Sequence, residues 1–416
     1  MADDDILSPE RVADPYPYFA KLRQEDPVHW NEQYRAWFVH RFPDVWDGLR
    51  NPALSSDRVQ PVFERKLSPE QQDERRPTFE ILEHWMVFND PPDHTRLRRL
   101  VNQAFTPRQI NALRPRIDQV VAELLDDIGP RGQVDLIRDF AYPIPAVIIA
   151  EMMGVPAADR DLFKEWSDAI MILVFGGARV QDRRERAQRS LLELAEYLHG
   201  LIRRFRQDPE DNLITSLVQA KEQDDALSED EIVSTCTLLL FGGHETTTNL
   251  IGNGTRTLLQ HPDQLQRLRD DPKLLTTAIE ELLRFDGPSK MQVRLVSEDT
   301  ELGGKTLRAG DELYFVQAAA NRDPDEFADP DAVDIGRSPN RHIGFGFGLH
   351  HCLGAPLARL EGSIAIDALI RHLPDLQPGP GPEVWHPTLI SRGMEHFPVS
   401  FTPVEATGRT SGGAAA

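Results

Sequence analysis

Apolar residues recur along this chain mainly at helical spacing. Ile117, Val120, Val121, Leu124, Leu125 and Ile128 form a stripe of period 3.6 that Gly129-Pro130 ends. Leu191, Leu194, Tyr197, Leu198, Leu201 and Phe205 form a second, with basic residues on its outer face. The longest helical run opens at Ser228, where Glu231 three positions later completes a capping-box pattern. It passes Ile232, Leu238, Leu239, Leu240 and Phe241 and stops near His261-Pro262. Strand patterns are fewer. After a helix-like stretch at Tyr16, Tyr18 and Phe19, Val28-His29-Trp30 and Ala36-Trp37-Phe38-Val39 read as two strands joined by a polar turn. Residues 291–316 return to strand character, with Gly303-Gly304 and Ala309-Gly310 marking turns. The pattern predicts a mainly α protein with small β-sheets at its edges.

Composition narrows this picture. A length of 416 residues would suggest two or three domains. No Ser/Gly linker, internal repeat or low-complexity block falls between residues 10 and 400, so a single large domain is expected over 1–404, followed by a disordered tail at 405–416. Lys and Arg number 46 against 67 Asp and Glu, a net charge of −21. That balance argues against a nucleic-acid partner and for a solubilising acidic surface. Two cysteines, Cys236 and Cys352, give no disulfide framework and fit a reducing cytosol. The acidic start Met1-Ala2-Asp3-Asp4-Asp5 lacks the apolar core of a signal peptide, and no run approaches the roughly eighteen apolar residues of a membrane span. A cytoplasmic protein without a membrane anchor is expected.

Candidate chemistry concentrates in Phe345-Gly346-Phe347-Gly348-Leu349-His350-His351-Cys352-Leu353-Gly354. Glycines at 346 and 348 allow positive φ and close approach of the backbone to a flat partner. Ala355-Pro356-Leu357-Ala358-Arg359-Leu360-Glu361 then reads as a helix, so Cys352 sits in a turn entering a helix start. Backbone N–H groups and the helix dipole would favour a thiolate there, which suggests a haem-iron ligand. A buried free cysteine serving as a small hydrophobe is the plain alternative. His350, His351 and Cys352 lack the spacing usual for zinc, and a phosphate-binding loop would need a following Lys and Ser/Thr. The order Phe-Gly-x-Gly-x-His-x-Cys-x-Gly resembles the haem-binding loop of the cytochrome P-450 family, and every defined position is filled. By that resemblance Cys352 is the iron ligand of haem b, and Phe345, Gly346 and Gly354 shape its loop.

A second unusual stretch interrupts the longest helix: Phe241-Gly242-Gly243-His244-Glu245-Thr246-Thr247-Thr248. Two glycines and three threonines in mid-helix cost roughly 0.5–1 kcal/mol each against alanine. A glycine pair admitting a neighbouring helix would account for them. So would a local widening of the helix in which Thr246 bonds a nearby group instead of its backbone carbonyl, leaving a groove for a small ligand and water. The stretch resembles the family's oxygen-activation motif, small-Gly-x-acid-Thr. The resemblance makes Gly242 and Gly243 the groove and Glu245 and Thr246 the acid and alcohol that manage water and protons. Glu245 stands where many members carry Asp.

The same resemblance assigns further residues. Glu281 and Arg284, at i and i+3, match the family's Glu-x-x-Arg, with Arg337 as third partner in a structural network. His94 and Arg98, sharing one helix face, are expected to meet the haem propionates together with Arg294 and His350. The substrate pocket is expected from Trp85, Met86, Phe88, Trp166, Ile172, Phe175, Leu240, Phe241, Met291, Val293 and Met394. The implied activity is a monooxygenase that inserts one oxygen atom of O2 into a hydrophobic small molecule. Its electrons are expected from NAD(P)H through a ferredoxin reductase and a ferredoxin, docking near Arg96, Arg99 and Arg108. A peroxide-driven peroxygenase and a non-catalytic haem sensor are the alternatives. Turnover with peroxide alone, and the need for the acid–alcohol pair, separate them.

Overall fold

The computed structural model describes residues 4–406 apart from 161, 164, 167–168, 171–180 and 223–224. Helices dominate, and the expected stripes become their buried faces. Ile117, Val120, Val121, Leu125 and Ile128 are buried on the helix Arg114–Ile128, and Leu191, Leu194, Leu198 and Phe205 on Gln181–Gln207. The longest helix spans Glu229–Gln260 with Ser228 as its N-cap and a complete capping box with Glu231. It is buried nearly all round, as a helix apolar on every side must be. It packs on Pro143–Met152, Gln181–Gln207, Leu275–Asp286 and Ala355–His372, so it forms the axis of the main core.

The strands gather mainly in a five-stranded sheet of order Val28–Asn31, Ala36–Val39, Glu312–Phe315, Gln292–Val296, Leu54–Ser55. Register fixes its faces. Arg294 pairs with Leu313 and Val293 with Tyr314, so side chains at 292 and 294 share one face while those at 291 and 293 take the other. The 292/294 face turns towards the cysteine loop, because a Cβ on Gly346 would lie 2.5 Å from Gln292 Nε2. The sheet thus meets the loop that carries Cys352, and the helix that follows the loop packs on the long helix. No described helix is long and apolar enough to cross a membrane.

Candidate active site

The cysteine loop is built by its backbone. Gly346 and Gly348 have φ of +71° and +73°, a region that strains residues with a Cβ. Gly354 differs: its φ is −79° and it caps the helix Ala355–His372. The Cys352 N–H donates to Phe345 O at 2.9 Å and closes the loop. Burial pushes the Cys352 thiol up, against the N–H groups of Gly354 and Ala355 and the cations Arg98 and Arg359, which pull it down. The expected thiolate preference is therefore outweighed by desolvation in the polypeptide itself. Cys352 is nevertheless exposed. Cys236, by contrast, is fully buried and pushed up to about 12, an inert core thiol.

The long helix carries the second group of expected residues. Gly242 is exposed, and a Cβ there would meet nothing within 4 Å; at Gly243 it would meet only Ile149 Cδ1, at 3.8 Å. The glycines therefore open space beside an otherwise buried helix, and the close-packed neighbour they could have admitted is absent among the described residues. The helix remains α throughout, however, and Thr246 Oγ1 donates to Gly242 O at 2.7 Å. This corrects the expected widening: a threonine hydroxyl readily returns to its own i−4 carbonyl. Glu245 is buried; Oε1 accepts a long bond of 3.4 Å from Asn249 Nδ2, and Oε2 has no hydrogen-bond partner among the described residues. Burial raises its pKa to about 7, with Ser391 and Asn249 pulling the other way. His244 stays in the core, edge-on to Tyr142 with ring centres 4.2 Å apart. Glu361, singled out by no sequence signal, is a second buried carboxyl, raised to about 8 by desolvation with Thr247 drawing it down.

The four expected cations converge from three elements. The rings of His94 and His350 lie 4.1 Å apart, and Arg98 Nη1 donates to Leu349 O at 3.4 Å. Arg294 Nη1 donates to Val293 O at 2.8 Å, while its buried Nη2 and both ring nitrogens of His94 have no partner among the described residues. Burial holds Arg294 down to about 10, Arg58 adding to the effect and Asp90 opposing it. Burial, then Arg294, His94 and Arg98, depress His350 to about 3; its Nε2 lies 3.0 Å from Ser56 Oγ. Neutral histidines and under-bonded guanidinium groups crowded together form a site made for an anion.

Glu281 binds both arginines expected of it. Arg284 Nε and Nη2 reach its two oxygens at 2.8 Å each, and Arg337 Nε lies 3.1 Å from both. Arg284 also donates to the carbonyls of Asn321, Pro330 and Ala332, and Asn340 Nδ2 donates to Glu281 Oε2. The network fastens the 321–340 segment that leads into the cysteine loop.

The expected pocket walls divide. Trp85 is fully buried, its Nε1 donating to Thr237 Oγ1 at 2.9 Å and its ring 5.8 Å from Phe88 and 5.3 Å from Phe241. Met86, Leu240 and Trp166 join the same core cluster. Val87, between Met86 and Phe88, is 41% exposed. Met291 is corrected: it packs with Ile6 and Phe19 in the N-terminal cluster, because strand alternation turns it and Val293 away from the 292/294 face. Met394 is corrected too, since its Cε lies beside Gly252, more than a turn beyond Thr246. Ile172 and Phe175 lie outside the described residues. The expected basic docking patch is also reduced. Arg96 is held by Glu231 at 2.6 Å and Asp225 at 3.1 Å, and Arg99 lies 3.5 Å from Asp225.

Against known proteins, the family model described as Cytochrome P450 matches residues 54–383. The chain belongs to the cytochrome P450 family. Cytochrome P450 CYP107DY1 of Priestia megaterium is 41% identical over 386 residues, covering 90% of this chain and 92% of that protein. The vitamin D(3) 25-hydroxylase of Pseudonocardia autotrophica is 40% identical over 408 residues, 97% of each. Among solved structures, P450BioI in complex with hexadec-9Z-enoic acid ligated acyl carrier protein has a TM-score of 0.87 and 35% identity, over 94% of this chain and 99% of that one. As a P450, the protein is an oxidoreductase of the monooxygenase type that uses haem and O2.

Proposed function

We propose that this P450 is a haem-thiolate hydroxylase of a hydrophobic small molecule, in which Cys352 would hold the haem iron and electrons come from NAD(P)H through a reductase and a ferredoxin. One observation carries the reading: an exposed thiol lies two residues from His350, whose ring packs on His94 at 4.1 Å, and His94 and Arg294 carry buried donors that lack partners among the described residues. That donor set fits the two carboxylates and flat ring of haem b. Haem with a thiolate ligand supplies O2 activation, the sulfur donating electron density that favours O–O cleavage. The chain's own residues manage protons and water. Glu245, with a pKa raised to about 7, can hold a proton at Oε2 near neutral pH and release it. Thr246 gives its proton to Gly242 O, which leaves its oxygen as an acceptor facing the opening at Gly242.

A hydrophobic substrate is supported by the apolar Leu240 and Phe241 that precede the glycine pair, and by relatives whose names specify vitamin D(3) and a carrier-bound fatty acid. The redox partner is assigned to the cysteine-loop face, where Leu349 is 57% exposed and Arg108 projects into solvent. We assign the protein to the cytoplasm on its acidic, reduced-cysteine composition. The test is a substrate-library titration followed at the haem Soret band, then turnover with NAD(P)H, reductase and ferredoxin against peroxide alone. Spin-state shifts with apolar ligands and turnover only with the electron chain are expected. Full turnover with peroxide would replace the hydroxylase reading with a peroxygenase, and a carbonyl adduct absorbing like histidine-ligated haem would end both.

A further inference from the structure

Glu245, Asn249 and Asn253 follow one another at intervals of four residues, so they share one face of the long helix. The loop 388–393 lies against that face. Asn253 Nδ2 donates to Arg392 O at 2.9 Å, and a Cβ on Gly393 would collide with the Asn249 side chain, so only a glycine lets the loop backbone come this close. At the Glu245 end of the row the loop brings Ser391, 2% exposed, which nothing in the sequence singled out. Burial works against the Glu245 carboxylate, and Ser391, then Asn249, work for it. Ser391 is thus close to Glu245, although Oε2 has no completed hydrogen bond among the described residues.

A second hydroxyl continues the row. Ser391 Oγ lies 2.9 Å from Thr388 Oγ1, and either can be the donor. Thr388 is half-buried and follows the exposed Pro387, so it is the outward end. The buried Lys290 holds it there, its Nζ donating to Thr388 O and its backbone N–H to Ile390 O at 2.7 Å. Thr388 Oγ1 also accepts from Ser391 N at 3.1 Å and donates to Ser391 O at 2.9 Å. That turn explains the threonine, but it uses only the backbone of Ser391, and the serine hydroxyl is surplus to it. The charged groups that meet the loop are engaged elsewhere: Lys290 with Thr388 O, and Arg392 with Asp286. The monooxygenase reaction sends one oxygen atom of O2 to water and consumes protons, so an acid that has given its proton must be recharged. We propose that Thr388 and Ser391 form the path by which Glu245 regains a proton from solvent. Ser391 Oγ gives its proton to the carboxylate and takes one from Thr388 Oγ1, which takes one from water. Each hydroxyl ends as it began, and one proton has moved from solvent to Glu245. The inference rests on Glu245 as the proton-holding group of the reaction proposed above, and both hydroxyls are positioning groups that act through it.

Proton entry can be read directly. Substrate-free holoenzyme is jumped from about pH 8.5 to about pH 5.5, across the Glu245 pKa of about 7, and the carboxyl C=O stretch is followed by time-resolved infrared absorption. The Glu245 band is the one missing from Glu245→Gln. The band missing from Glu361→Gln belongs to Glu361, raised to about 8, and serves as the internal control. Ser391→Ala and Thr388→Val should each slow the rise of the Glu245 band by roughly 10²-fold, with the Glu361 band keeping its rate. Ser391→Thr, which keeps the hydroxyl, should restore the wild-type rise. Ser391→Ala should also lift the Glu245 midpoint, because a group favouring the carboxylate is gone. A Glu245 band rising within about twofold of wild type in either the alanine or the valine variant would overturn the path. Equal slowing of both bands would overturn it too, as the mark of a general change in the fold. If proton entry slows as expected while Glu245→Gln oxidises substrate at the wild-type rate, the path stands and the catalytic reading of Glu245 falls.

Discussion

Glu245 combines burial, an Oε2 with no hydrogen-bond partner among the described residues and a pKa raised to about 7, so near neutrality it is poised between acid and base. Glu245→Gln keeps its shape and the Asn249 contact but cannot exchange a proton. It should lower substrate oxidation by roughly 10²- to 10⁴-fold while the haem spectrum and substrate-induced shift stay as in wild type. Wild-type turnover should show an inflection near pH 7 that the variant lacks; an equal profile in both would remove Glu245 from the proton path. Cys352→His is the companion test of ligation. Its reduced carbonyl adduct should move to the position of histidine-ligated haem, and an unmoved band would mean that another residue binds iron. Both proposed roles come from the resemblance of these stretches to the family's motifs, in which residue type and spacing are fixed. The partner of the Thr246 hydroxyl was not legible in sequence, since the i−4 carbonyl competes with any outside group and only coordinates show which wins.

Elements were read well where burial is one-sided. The stripes at 117–128 and 191–205 and the capping box at Ser228 each specify a helix locally, and each helix formed. Met-Gln-Val-Arg-Leu at 291–295 did not specify which face its apolar residues take, because both faces of that strand are covered and its register is set by the distant Tyr314. Arg96 was misjudged for a similar reason: its partners Asp225 and Glu231 are remote in sequence. Two element-scale outcomes follow. Glu281→Ala strands the fully buried Arg284 and loosens 321–340, so the denaturation midpoint should fall by the equivalent of about 3–5 kcal/mol, with faster haem loss. A loss below about 1 kcal/mol would show the network to be incidental. Gly242→Ala should act oppositely on stability, since its Cβ meets nothing and alanine favours helix by roughly 0.5–1 kcal/mol. The same methyl narrows the groove, so a stabler protein with weaker substrate shifts is expected; unchanged binding would show that the groove is not used.

Across the whole molecule, buried carboxyl groups pull stability in opposite directions with pH. Glu280, accepting from Arg359 at 2.6 and 2.8 Å and lying 3.0 Å from His342, is held down at about 2, and Asp286 is lowered against Arg392. Stability from these groups is present above their unfolded pKa and is lost as pH falls towards their folded values. Glu245 and Glu361 behave in reverse, raised from 4.5 to about 7 and about 8. Between those limits the folded state binds more protons than the unfolded one, so their contribution, complete below pH 4.5, is lost as pH rises through 7 and 8. At about 1.4 kcal/mol per pKa unit, Glu361 alone accounts for several kcal/mol. Glu361→Gln removes that penalty while keeping the volume. Urea midpoints of the holoenzyme should therefore agree within error at pH 5, and at pH 8.5 the variant should be the more stable. Equal differences at both pH values would mean that Glu361 ionises without cost, through water reaching the Thr247 side of the long helix.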